Sequence, residues 1–122
     1  MDNAKLETLL DRFPFLCDTD VGNGWYDLLY KMAECIEKLQ PNSDFKFVQI
    51  KEKFGLLRSY FDNGAEEIAL IVDNTESESA TTCEDCGSAG RLVRKTDYWV
   101  KTLCPACHSG PEVKFKRISF RL

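Results

Sequence analysis

Four of the six cysteines in this 122-residue chain follow the pattern C-x2-C-x17-C-x2-C: Cys83, Cys86, Cys104 and Cys107. The second pair lies in TLCPACHSG, residues 102–110. Taken alone, C-P-A-C-H fits three chemistries: attachment of a c-type haem, a redox dithiol, or half of a zinc site. The first pair decides among them. Each C-x-x-C turn aims two sulfurs inward, and two such turns complete a tetrahedral thiolate shell. Haem attachment has no use for Cys83 and Cys86. A thiol oxidoreductase wants its C-x-x-C at a helix start in a βαβ setting, which is not legible here. The expected cofactor is one structural Zn2+ on Cys83, Cys86, Cys104 and Cys107. That shell is full without His108, the single histidine, expected beside the site as a hydrogen-bond donor or exposed. A full shell leaves no position for water, so the metal is expected to fold a lobe rather than to catalyse.

Catalytic constellations elsewhere are thin. With the one histidine beside the metal, no Ser-His or Cys-His arrangement can be assembled. Glu66, Glu67, Glu76 and Glu78 are spaced like a solvated helix face. Gly22-x-Gly24 is half a phosphate-loop pattern and follows no clear strand. Cys17 and Cys35 read as small buried hydrophobes without a cationic activator. No catalytic residue is assigned, and the expectation is a protein that is not an enzyme.

The elements that must position the cysteines can be read from periodicity. Leu6, Leu9, Leu10 and Phe13 mark one face of a short helix, with Asn3 as N-cap and Pro14 as its stop. The glycines of Val21-Gly22-Asn23-Gly24 mark a loop. Trp25, Leu28, Leu29, Met32, Ile36 and Leu39 then line a second helix, stopped at Pro41-Asn42. Residues 45–62 predict two strands around a turn near Lys53-Phe54-Gly55, with Phe45 and Phe47 on alternating sides from Val48 and Ile50. Ala65, Ile68, Ala69 and Val72 resume helical spacing, and this third helix is expected to fray within DNTESESATT. RLVRKTDYWVKTL can make a hairpin that brings the two cysteine pairs together. Alternation after Val113 predicts a last strand. The fold class is α+β: helices on a small antiparallel sheet, with a C-terminal zinc-ribbon-like lobe. The expected organisation is a core over 1–80, the lobe over 81–110, and a strand over 111–122 returning to the core.

A hydrophobic content of 43% suits one packed core with a small appendage. No stretch of about 18 apolar residues predicts a membrane span. MDNAKLETLLDRF carries acids early and no apolar block, unlike a secretory signal, so the expected compartment is the cytoplasm, where thiols stay reduced. The net charge of −4 conceals an asymmetry: residues 63–86 carry −7 and residues 87–122 carry +6. Arg91, Arg94, Lys95, Lys101, Lys114, Lys116, Arg117 and Arg121 offer a basic patch for nucleic acid or a partner, unless the two segments neutralise each other. Lys51, Lys53, Arg58 and Tyr60 near the hairpin turn offer a second contact site, or an edge blunted by lysines. Trp25 and Tyr26 are interface anchors or core.

Two resemblances extend this reading. CEDCGSAGRL and TLCPACHSG resemble the knuckles of GATA-type zinc fingers over about a quarter of the chain. Those fingers continue into a recognition helix, whereas Ser109-Gly110-Pro111 breaks the chain here, so direct major-groove reading is not expected. More broadly, VGNGWYDLL, VQIKEKFGLLRSY and CEDCG…WVKTLCPAC resemble a group of small uncharacterised bacterial and bacteriophage proteins. These share a Gly-Trp helix start, a K-E-K-F-G-x-L-R hairpin and a zinc-ribbon-like C-terminal element. The resemblance implies a cytoplasmic, phage-borne protein and says nothing about reaction type. The expected function is a non-enzymatic, zinc-stabilised interaction protein that binds or inhibits a host macromolecule, with a protein as its partner. The alternative is a nucleic-acid-binding regulator using the basic C-terminal third.

Overall fold

In the computed structural model, which describes residues 1–113, helix α1 spans Asn3–Arg12. Its cap is Asp2, not Asn3: Asp2 keeps an extended backbone, and its side chain accepts the Lys5 N–H at 2.8 Å. A carboxylate at this end also suits the helix dipole. Leu9 and Phe13 are fully buried, and Phe13 meets Tyr30 edge-on at 5.1 Å. Strand β1, Thr19–Asp20, follows, and a single 3-10 turn over Asn23–Trp25 leads into helix α2, Tyr26–Lys38.

Trp25, Leu29, Met32 and Ile36 form the buried stripe that their spacing predicts. Leu39 departs from it and is 45% exposed, because the helix ends at Lys38 and Gln40 turns left-handed at φ 50° before Pro41. Strands β2 (Lys46–Lys53) and β3 (Leu56–Asp62) make the expected antiparallel hairpin. Lys53 pairs with Leu56, and both turn residues have positive φ, Phe54 at 53° and Gly55 at 78°. This is the mirror-image turn whose twist matches that of paired strands.

A bulge between Phe47 and Gln49 breaks the strict alternation expected of β2. The extra residue rotates the strand, so Phe47 and Ile50 share the core while Val48 is left half exposed. The sheet order is β1-β2-β3, with β1 parallel to β2 through Thr19 and Ile50. The sheet is therefore mixed, and β1 had no sequence signal. Helix α3, Glu66–Ser79, packs on α2 and on β3. It runs well into DNTESESATT and ends there at Ser79. Thr75, Glu76 and Ser79 are buried there because each meets a polar partner, so Glu76 is not on a solvated face. Ser79 Oγ accepts the Leu57 N–H at 2.9 Å, and Glu76 pairs with Arg58.

Strands β4 (Arg91–Thr96) and β5 (Trp99–Leu103) form the second hairpin. Of the expected last strand, only its start is described. Val113 N donates to Leu92 O, and Glu112 bridges Val93, so these two residues lie on the edge of β4. Residues 114–122 lie outside the described residues.

Candidate metal centre

The two cysteine turns flank the β4–β5 hairpin. Cys83 and Cys86 precede β4, while Cys104 and Cys107 follow β5, so pairing Arg91 with Leu103 closes the loop between them. In the first turn Cys83 O accepts the Gly87 N–H at 2.9 Å, and Gly87 takes φ 86°, a conformation open to glycine. In the second, Cys104 O accepts both Cys107 N–H at 3.1 Å and His108 N–H at 3.0 Å. Each turn wraps its backbone so that both sulfurs face the same point.

The four sulfurs lie within 4.8 Å of one another, and Cys86 Sγ is 3.5 Å from Cys104 Sγ. A disulfide would need about 2 Å, and all six cysteines are free thiols. Tetrahedral metal–sulfur bonds of about 2.3 Å place neighbouring sulfurs about 3.8 Å apart. The spacing therefore fits four ligands around one ion, and the four cysteines can hold a single metal. The thiols also shift one another's protonation in opposite directions. Ser88 donates to Cys86 through its hydroxyl and its backbone N–H and brings that thiol down to about 6. Cys107 is pushed up to about 12 by hydrogen bonds to Cys104, Cys86 and Cys83. Four sulfurs this close cannot all ionise without a cation among them.

His108 lies beside the cluster, outside its ligand set. It is an acceptor rather than the expected donor: its Nδ1 takes the Gly110 N–H at 3.1 Å. The second turn is held from behind by Arg91, whose guanidinium donates to Leu103 O at 2.7 Å, His108 O at 2.8 Å and Gly110 O at 2.6 Å. Arg91 is thus a clamp on three carbonyls and not part of an open basic patch. Lys101 is also turned inward, with Nζ 3.4 Å from Glu84 and 3.8 Å from Asp85. These pairs link the acidic and basic segments within the fold. Arg94 and Lys95 remain exposed, whereas Lys114, Lys116, Arg117 and Arg121 lie outside the described residues. At the other expected contact site, Lys51, Lys53 and Tyr60 are at least partly exposed. Arg58 leaves the group, because it is buried against Glu76 at 3.6 Å. Cys17 and Cys35 are half-buried rather than buried.

The lobe docks on the core through the Gly-Asn-Gly-Trp loop. Gly24 N donates to Glu84 O at 2.7 Å, Gly22 N to the Glu84 carboxylate at 3.0 Å, and Trp25 Nε1 to Thr82 O at 2.8 Å. Trp25 is accordingly core, not an interface anchor. Burial pushes the Glu84 carboxyl up, while Lys101 and the Gly22 N–H pull the other way. A second link is Thr102, whose hydroxyl donates to Gly55 O at 2.7 Å. No family model, curated protein or solved structure matches the chain. Among the described residues, no helix is long and apolar enough to cross a membrane.

The docking role of Gly22 and Gly24 escaped the sequence reading, which weighed them only as a loop and a phosphate motif. The signal was there in their position just ahead of a core tryptophan. Ser88 was missed, and Arg91 was read only as a surface cation, because the Cys86 sulfur and the loop carbonyls they bond are placed by the fold and not by local pattern.

Proposed function

We propose that this protein is a non-enzymatic interaction module of the cytoplasm whose presenting lobe is held together by one structural zinc ion. The observation that carries this reading is the donor set: four sulfurs around one point, with the neighbouring histidine tied into its own loop. Tetrahedral all-thiolate shells suit zinc, and a saturated shell leaves no site for water or substrate. Cys83, Cys86, Cys104 and Cys107 would hold the ion, which supplies the cross-link that a lobe this small needs. Among the described residues, the buried apolar cluster of that lobe comprises Cys83, Val93, Leu103 and Cys104, too little to fold without such help.

What the zinc would stabilise is a hairpin with exposed aromatic residues at its end, a surface suited to contact. The resemblance to phage-borne proteins makes a host macromolecule the partner class. Metal analysis of protein purified without added metal tests the reading: one equivalent of zinc is expected. Less than about half an equivalent, stoichiometric iron with thiolate colour, or a haem Soret band would overturn it.

A further inference from the structure

The two hairpins meet at one end of the molecule, where they leave three aromatic side chains uncovered. Tyr98 is 99% exposed, Phe54 64% and Trp99 45%. The turn that carries Phe54 is tied to Trp99, the neighbour of Tyr98, by Glu52. One of its carboxylate oxygens accepts the Trp99 indole N–H at 3.2 Å, and the other accepts the Gly55 N–H at 2.8 Å. Gly55 also lies against Leu92 and Thr102, which pins the β2–β3 turn onto the β4–β5 hairpin. Trp99 is thus held at its polar edge while much of its ring faces water.

Phe54 makes the case sharper. Its φ of 53° is the left-handed region, and the other turn residue is glycine. Asn, Asp or Gly takes this position at least cost, whereas Phe brings no local hydrogen bond and buries little here. An unfavourable residue whose ring points outward is better explained by what it touches than by folding. The surrounding charge is mixed, with Glu52 and Asp97 standing among more numerous cations. Lys53 Nζ lies 5.9 Å from the Phe54 ring centre, Lys101 Nζ lies 5.2 Å from that of Trp99, and Arg94 and Lys95 stand on the adjoining strand. Among the described residues, Lys53, Arg94 and Lys95 have no carboxylate within ion-pair distance.

From this juxtaposition we infer that the hairpin tips bind single-stranded nucleic acid, bases stacking on Phe54, Tyr98 and Trp99 while Lys53, Arg94 and Lys95 face the phosphates. Flat exposed rings interleaved with unpaired cations form the platform that sequence-tolerant single-strand binding uses. An acidic peptide would satisfy the cations but leave the ring faces without a partner of matching shape. A duplex hides its base faces and offers only phosphates. The inference rests on the proposed zinc-held lobe, because the metal fixes the β4–β5 hairpin.

Fluorescence anisotropy of the zinc-loaded full chain, titrated into labelled dT and rU oligonucleotides of about 12 nucleotides, tests it. Binding is expected, weakening between about 50 and 200 mM salt, with quenching of tryptophan emission. Tyr98→Ala removes a side chain that touches little of the fold. It should weaken binding about 5- to 150-fold, the range for one stacked base. Phe54→Asn should weaken binding while raising resistance to urea, opposite signs that no purely structural role produces. Three results would each overturn the inference: no binding at low salt, equal affinity for duplex or a polyglutamate peptide, or an unchanged affinity in Tyr98→Ala. Zinc content measured on the same sample separates the two readings. A full equivalent with no binding removes only the nucleic-acid inference, whereas absent metal removes the scaffold as well.

Discussion

Replacing Gly24 with alanine tests the docking of the metal lobe without touching a sulfur. The φ of Gly24 is not left-handed, so alanine meets no dihedral penalty and the effect is one of space. A Cβ there would lie 2.1 Å from Cys83 O, 2.6 Å from Gly87 N and 2.7 Å from the Glu84 carbonyl carbon. All three are backbone atoms of the first cysteine turn, so none can swing aside. To regain an ordinary contact of about 3.5 Å with Cys83 O, the turn and the loop before α2 must part by roughly 1.4 Å. That separation breaks the bonds from Gly24 N, Gly22 N and Trp25 Nε1 to residues 82–84. At about 0.5–1.5 kcal/mol each, the loss is about 2–4 kcal/mol, a large share of the 5–15 kcal/mol typical of a folded domain.

Urea unfolding of the zinc-loaded protein, followed by tryptophan fluorescence, reads this loss directly. Zinc affinity from chelator competition should fall as well, since docking and metal binding stabilise the same turn. Gly110→Ala is the control. Its Cβ would lie 2.5 Å from His108 Cε1, also too close, but that atom belongs to a side chain that can rotate. Its cost should stay under about 1 kcal/mol. If Gly24→Ala unfolds within about 0.5 kcal/mol of the parent and keeps its zinc affinity, the close approach is not what holds the lobe to the core.

Three further outcomes follow from buried polar groups and from a cysteine outside the metal centre. Ser79→Ala should cost about 1–3 kcal/mol in urea unfolding, because it leaves the Leu57 N–H without its acceptor in a fully buried position. Arg58→Ala should cost about 3–5 kcal/mol by removing the cation that faces the buried Glu76 carboxylate, and the double variant Arg58→Met, Glu76→Leu should recover most of it. Burial, with a smaller contribution from Asp18, pushes the Cys17 thiol above its usual range. Its alkylation by iodoacetamide, read by peptide mass spectrometry, should therefore be slow at neutral pH and rise only above the normal thiol range. A rate at pH 7 equal to that of free cysteine would refute this.

How much was visible in the sequence follows the range of the interactions involved. Helix α2 announced itself through Trp25, Leu29, Met32 and Ile36, a stripe set by local periodicity and packing. The β2–β3 turn was marked by Gly55 and the metal centre by ligand spacing. Features that depend on distant partners were misread. Thr75, Glu76 and Ser79 look like a fraying helix end until Arg58 and Leu57 arrive from β3 to satisfy them. Arg91 and Lys101 look like surface cations until carbonyls and carboxylates enclose them. The bulge at Phe47 rests on pairing with β3, so alternation in β2 alone pointed the wrong way.

The stretches that suggested a resemblance now have a physical account, and it is architectural. VGNGW contributes Gly22 and Gly24, where any side chain would collide with Cys83 or Glu84 backbone. KEKFG contributes Gly55, where a Cβ would stand 2.6 Å from Leu92 and lose the left-handed turn. CEDCG contributes Gly87, left-handed and 3.2 Å from Gly24 O at its built Cβ. All three stretches thus meet along the seam between core and metal lobe, and their glycines are the points of closest approach. A seam of this kind would tie a bound ion to the rest of the chain, because Thr82 and Glu84, around the first cysteine turn, accept three bonds from Gly22, Gly24 and Trp25. The residues left over from that task, Phe54 in its unfavourable conformation above all, are where activity should be sought. Motifs that close a seam explain how the hairpins are brought together, and the exposed rings at their tips explain why bringing them together would matter.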